Sequence, residues 1–197
     1  MVMELHCDDI ALKVFQQLFQ QGVVLQVEVG VSVRNVLCSQ LGLASDYVDN
    51  RINTVFLNSM PVDDIDKALV SDGTVLALSA AMPGLAGAVM RKSGYFAGFR
   101  SSISYSAEKT VLGHGSGELV LKLYNIIALE IGPHILEHGF LLRADKLRDF
   151  FAERAPRFWE GCSQALVNGK QWSIRNLRSL DWPEKADRVN LRVIRQT

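Results

Sequence analysis

Apolar and polar positions alternate with a period of two in several short stretches, the spacing of half-buried strands. Val23–Val29 (VVLQVEV) is the clearest, β-branched and closed by Gly30. Residues 52–57 (INTVFL) and 74–78 (TVLAL) follow the same pattern, and Arg188–Arg195 (RVNLRVIR) predicts a last, half-exposed strand. Residues 10–15 (IALKVF) fit two periods. Ile10, Leu12 and Val14 alternate as in a strand, while Val14, Leu18 and Phe19 form a helical stripe.

Helical spacing follows Ser32, whose hydroxyl can accept a first-turn amide; Val33, Val36, Leu37 and Leu41 share a face and Gly42 ends it. Asn58 to Pro61 and Asp72-Gly73 are turn sequences. The connector 88–100 lacks a core pattern, and 101–106 (SSISYS) alternates weakly as a strand. Ser116 is positioned to cap a helix over 118–131, with Leu119, Leu123, Ile126, Ile127 and Glu130 in register. Pro133 opens a further turn that Gly139 closes, and residues 144–155 predict an amphipathic helix, with Leu147, Phe150 and Phe151 inward, that Pro156 stops. Asn168-Gly169 is a two-residue hairpin signal within 164–174.

The first half therefore orders as strand, strand, helix, strand, strand, and the second as strands flanking helices. The predicted class is α+β, with domains at 1–88 and 89–197. Charge follows the same division: residues 1–87 carry 10 acidic and 4 basic side chains, whereas 88–197 carry 17 basic and 11 acidic. The two balances are opposite, so the basic half can dock on the acidic one.

The runs RINTVFLNSMPVDD and LVSDGTVLALSAAMPGLAG resemble the small subunit of molybdopterin synthase and the thiamine-pathway sulfur carrier, a ubiquitin-like β-grasp family. Asn58-Ser59, Asp72-Gly73-Thr74 and Pro83-Gly84-Leu85-Ala86-Gly87 hold the places of its motifs. The resemblance covers residues 10–88 and implies a ubiquitin-like β-grasp domain followed by a second α+β domain. It implies further that Pro83, Gly84, Leu85, Ala86, Gly87 and Ala88 correspond to the reactive tail. In that family a terminal Gly-Gly carboxylate is adenylated and converted to a thiocarboxylate. Here Gly87 is followed by Ala88 and then by a further 109 residues, so no free carboxylate exists there without proteolysis. The expectation is a non-catalytic binding or scaffold module linked to sulfur transfer in cofactor biosynthesis. Its partner would be a protein, an activating or cofactor-synthesis enzyme, or a second copy of the chain paired through an exposed sheet edge. The alternative is a precursor cleaved after Gly87.

Other chemistry is sparser. His134-Ile135-Leu136-Glu137-His138 fits an inverted zinc-protease motif, with His134 and His138 on one helical face and Glu137 as base. A third ligand would have to come from Glu130, Asp145 or Asp149, and a surface helix is the favoured account. No catalytic residues and no cofactor are expected, zinc being the alternative. Gly113-His114-Gly115-Ser116-Gly117 could cradle a phosphate before a helix, but the Lys of a P-loop is missing. Arg175, Arg178, Lys185, Arg188, Arg192 and Arg195 accompany Trp172 and Trp182, yet Asp181, Glu184 and Asp187 interrupt them, which disfavours nucleic acid. Cys7, Cys38 and Cys162 are odd in number and widely spaced, so they predict reduced thiols rather than a disulfide framework. No apolar run reaches the ~20 residues of a membrane span, and Met1 to Asp9 lacks a secretory pattern; a cytoplasmic location is the expectation.

Overall fold

The structure, a computed structural model, describes residues 1–106, 113–180, 182 and 187–196, with Arg178 and Ser179 described by their backbone alone. It is mixed α and β, with ten strands among the described residues. Contacts divide the chain into two compact units, 19–130 and 1–18 with 131–197.

In the unit 19–130, β2 (Val23–Val29), β3 (Thr54–Leu57), β4 (Met60–Pro61), β5 (Thr74–Ser79) and β6 (Gly115–Leu123) lie in the order β4-β3-β5-β6-β2. β6 pairs antiparallel with β2, from Val23↔Leu121 to Val29↔Gly115, and parallel with β5, from Thr74↔Leu119 to Leu78↔Leu123. β3 is antiparallel to both β4 and β5. Two helical segments, Asn35–Gln40 and Ser45–Asn50, lie between β2 and β3, and the Ser32 hydroxyl accepts from the Asn35 amide at 3.2 Å, as its capping role predicts. Val33, Val36 and Leu37 are fully buried, as are Leu76, Leu78, Leu119, Leu121 and Leu123 of the sheet. Each such side chain contributes about 1.5–3 kcal/mol by leaving water.

The other unit contains β1 (Val2–Cys7), β7 (Phe140–Arg143), β8 (Cys162–Val167), β9 (Lys170–Trp172) and β10 (Arg188–Arg195). Their order is β7-β10-β1-β8-β9. β1 runs parallel to β10 and antiparallel to β8. The predicted hairpin forms: Asn168 and Gly169, both at positive φ, join β8 to β9, and the Asn168 side chain accepts from the Val2 amide at 2.9 Å. α1 (Asp9–Val14), α6 (Ala144–Ala152) and α7 (Pro156–Glu160) bring Phe15, Phe150, Phe151 and Phe158 together, with ring centroids 5.3–6.5 Å apart.

One two-period stretch resolves, and three predicted elements differ. Residues 10–15 are helical, because Asp8 caps α1 through the Ala11 amide at 2.8 Å and Ala11, Leu12 and Phe15 then share the buried side. The predicted helix over 118–131 is instead β6 followed by α5 (Asn125–His138). Leu119 and Leu123 suit both periods, but Leu121 reaches the core only on a strand. Residues 101–106 form turn, bend and irregular backbone rather than a strand. Pro133 does not begin a separate turn; α5 runs through it.

Candidate interaction site

Between β5 and β6 the chain leaves the sheet for a long excursion, and the carrier-tail-like residues open it. Pro83, with φ −74° and ψ 156°, precedes α4 (Gly84–Met90). Gly84 has φ +71°, a backbone region that side chains disfavour. Gly87 is the buried residue of this helix, and a Cβ there would lie 1.7 Å from the Met82 carbonyl oxygen. Its missing side chain thus permits a close internal approach. Pro83, Gly84, Leu85 and Ala86 are exposed, and Ala88 is half-buried.

A buried arginine holds the excursion down. The Arg100 side chain is 1% exposed. Its guanidinium donates to both Asp63 carboxylate oxygens (2.6 and 2.9 Å), to the Val89 and Arg91 carbonyls (2.7 and 3.3 Å) and to the Ser104 hydroxyl (2.7 Å). The planar fork of arginine suits such divergent acceptors, whereas a lysine would reach fewer. Further bonds fasten the excursion to the β3–β4 edge. Lys92 N donates to the Asn53 carbonyl at 2.7 Å, Ser93 N to Asp63 at 2.9 Å, and Tyr105 N to the Pro61 carbonyl at 2.9 Å.

The excursion exposes several large apolar side chains alongside Arg91, Ser93, Ser101 and Ser102. Tyr95 is 95% exposed, Phe99 80%, Leu85 74% and Ile103 51%. Phe96 stacks on Phe99 at 6.0 Å and meets Tyr95 edge-on at 5.1 Å. Nearby, Phe56, Leu78, Met82, Pro83 and Tyr124 line a mostly apolar groove of about 340 Å³. Contiguous exposed apolar surface is one mark of a site that binds another molecule.

Beside the clasp, Arg34, Asp49, Asp63, Asp66 and Lys92 line a charged hollow of about 360 Å³. Arg34 bridges Asp49 at 2.7 Å and Asp66 at 2.6 Å. Those carboxylates push the arginine up from its ordinary value, and Arg34 holds the Asp49 carboxyl below the usual range. Desolvation lowers Lys92, whose ammonium donates to the Val48 carbonyl at 3.1 Å. Arg34 is paired with Asp49 and Asp66, and Asp63 with Arg100, so these charges brace the excursion.

The other expected sites are dispersed. His134, Glu137 and His138 lie exposed on the last turns of α5. Among the described residues no group of three His, Cys, Asp or Glu side chains is placed to hold a metal. Glu130 is taken up by Arg51 and Tyr47, Asp145 by Arg143, and Asp149 by Arg148. The glycine-rich run at 113–117 does not precede a helix, since Gly115 begins β6. Of the basic C-terminal residues, Arg192 pairs with Glu4 at 3.5 Å and Arg195 with Asp9 at 2.9 Å; Lys185 lies outside the described residues. No described helix is long and apolar enough to cross a membrane.

Sequence reasoning missed two arrangements. The Arg100–Asp63 clasp joins residues 37 apart, with no local pattern to announce it. Cys7 and Cys162 lie side by side although they are 155 positions apart in the chain. Comparison of the chain with protein-family models, curated proteins and solved structures returned no match.

Proposed function

We propose that the chain is a non-catalytic binding or scaffold protein, built on a sulfur-carrier-like β-grasp and linked to sulfur transfer in cofactor biosynthesis. The observation that carries it is the place of the tail-like segment: Pro83 to Ala88 lie between β5 and β6, two strands that pair with each other. The mixed order β4-β3-β5-β6-β2, with the helical segments Asn35–Gln40 and Ser45–Asn50 between β2 and β3, is compatible with a grasp. The strand beside β2, which a grasp beginning at residue 10 would draw from 10–15, comes instead from 115–123. Cleavage after Gly87 would cut the connection to that strand, which lies between β5 and β2, so a precursor that releases a carrier fits the fold poorly. Gly87 has a packing role against Met82 that requires no threading through an enzyme channel.

In this proposal the excursion binds a protein partner through Leu85, Tyr95 and Phe99, and an adenylating activating enzyme is the partner chemistry that the resemblance implies. The test has two arms. Intact-mass analysis of protein from its native host is expected to give full-length chain, and a fragment ending at Gly87 would favour the cleaved carrier. Binding to the host's activating enzyme, measured by calorimetry, is expected to weaken at least about tenfold in Tyr95→Ala/Phe99→Ala, each truncation removing about 1 kcal/mol or more at a docking hot spot. Unchanged affinity would remove the excursion from the interface, and no binding by the parent protein would remove this partner.

A further inference from the structure

β1 and β8 are antiparallel neighbours, and after a register shift between His6 and Cys7 they place Cys7 directly opposite Cys162. The two sulfurs are 2.7 Å apart. Directly opposed residues of antiparallel strands have Cα atoms about 4.5–5.5 Å apart, within the span that a disulfide bridges. The covalent bond, about 2.05 Å, needs only about 0.7 Å of further approach.

The two thiols differ in access. Cys7 is 0% exposed and Cys162 5%. Cys162 lines a cleft of about 690 Å³ together with Trp159, Ser163, Gln171, Trp172 and Arg175, and Cys7 does not. The hydrogen bond with Cys162 and burial push the Cys7 thiol up, so it stays protonated while the sulfur facing the cleft meets solutes first. Cys38 is half-buried, lies in the unit 19–130, and its sulfur accepts from the Ser45 hydroxyl at 3.7 Å. It serves as an internal comparison.

We propose that Cys7 and Cys162 are a redox site that closes to a reversible disulfide when a hydroperoxide enters the cleft. The Cys162 sulfur attacks the outer peroxide oxygen. The O–O bond breaks, the alcohol or water leaves with the thiol proton, and Cys162 becomes a sulfenic acid. The Cys7 sulfur then attacks the Cys162 sulfur, the S–O bond breaks, and hydroxide departs with the Cys7 proton as water. Two thiols lose two electrons and the peroxide gains them. A dithiol reductant reverses the change by thiol–disulfide exchange.

The experiment uses full-length Cys38→Ser protein titrated with hydrogen peroxide. Titratable thiols are expected to fall from two to none, with the intact mass reduced by two hydrogens and restored by dithiothreitol. Persistence of both thiols at peroxide levels that oxidise Cys38 in the parent protein would overturn the proposal, as would oxygen adducts in place of the disulfide. A sulfenic-acid trap distinguishes the roles: Cys7→Ser should label at Cys162 at least about tenfold more than Cys162→Ser labels at Cys7. Equal labelling would overturn the order of attack. If either serine variant fails to fold, the Cys38→Ser titration alone decides.

Discussion

Arg100 and Asp63 form an unequal pair, since the arginine side chain is 1% exposed and the aspartate 37%. The two truncations should therefore cost different amounts. Asp63→Ala leaves a charged guanidinium in a place that water does not reach, a loss of about 3–5 kcal/mol. Arg100→Met leaves a carboxylate that can regain water, and costs about 1–3 kcal/mol from the hydrogen bonds it gives up. Urea midpoints of the two variants check this, and the reverse ranking would mean that the clasp is more hydrated than its geometry indicates. Gly87 gives a second contrast at this scale. Gly87→Ala must displace either α4 or the Met82 carbonyl, because the new carbon would sit 1.7 Å from that oxygen. Residues near Gly87 should accordingly lose hydrogen-exchange protection, while Gly73→Ala, with no neighbouring atom within 4 Å but φ +73°, should show strain confined to its own turn.

Among the elements, α3 (Ser45–Asn50) and α5 are joined by Tyr47, Arg51 and Glu130. Hydrogen bonds from Arg51 hold the Glu130 carboxyl below its ordinary value, against a smaller opposing effect of desolvation. A folded-state value below the unfolded one means that the contribution is present above the unfolded value of 4.5 and is lost as pH falls through the folded one. The melting temperature should thus decline below about pH 4.5. In Glu130→Gln that decline should be shallower, and a calorimetric pH series that superimposes the two proteins would show the cluster to be inert. How legible each element was depended on whether its residues satisfied one period or two. β2 and β10 alternate without ambiguity, and Asn168-Gly169 specifies its own turn. β6 was hidden because Leu119 and Leu123 are four apart, a spacing common to a helix face and a strand face. α1 was hidden because Ile10, Leu12 and Val14 alternate, and only the Asp8 cap breaks the tie. At the candidate site, Pro83 to Ala88 were singled out by motif, but their helix was not, since small residues carry little periodicity. The clasp and the cysteine pair depend on sheet and loop closure over long sequence separations, which no local window contains.

For the whole molecule, the position of β6 has the largest effect. A chain ending at Ala88 would lack Leu119, Leu121 and Leu123, all fully buried, and would expose the facing edges of β2 and β5. Losing three such side chains removes about 5–9 kcal/mol of burial, comparable with the stability of a whole domain. A fragment 1–88 should show no cooperative unfolding transition by circular dichroism and should recover structure when the 113–130 segment is supplied in trans. A well-folded isolated fragment would mean that the sheet can close without β6. The parallel pairing of β1 with β10 acts at the same scale, with six matched residue pairs from Val2↔Asn190 to Cys7↔Arg195. Tension applied through the N-terminal end of one strand and the C-terminal end of the other would run along both strands in opposite directions. The ladder would then bear the load in shear, with its hydrogen bonds strained together instead of opening one after another, and this unit should resist a pull along that axis far better than one that peels its edge.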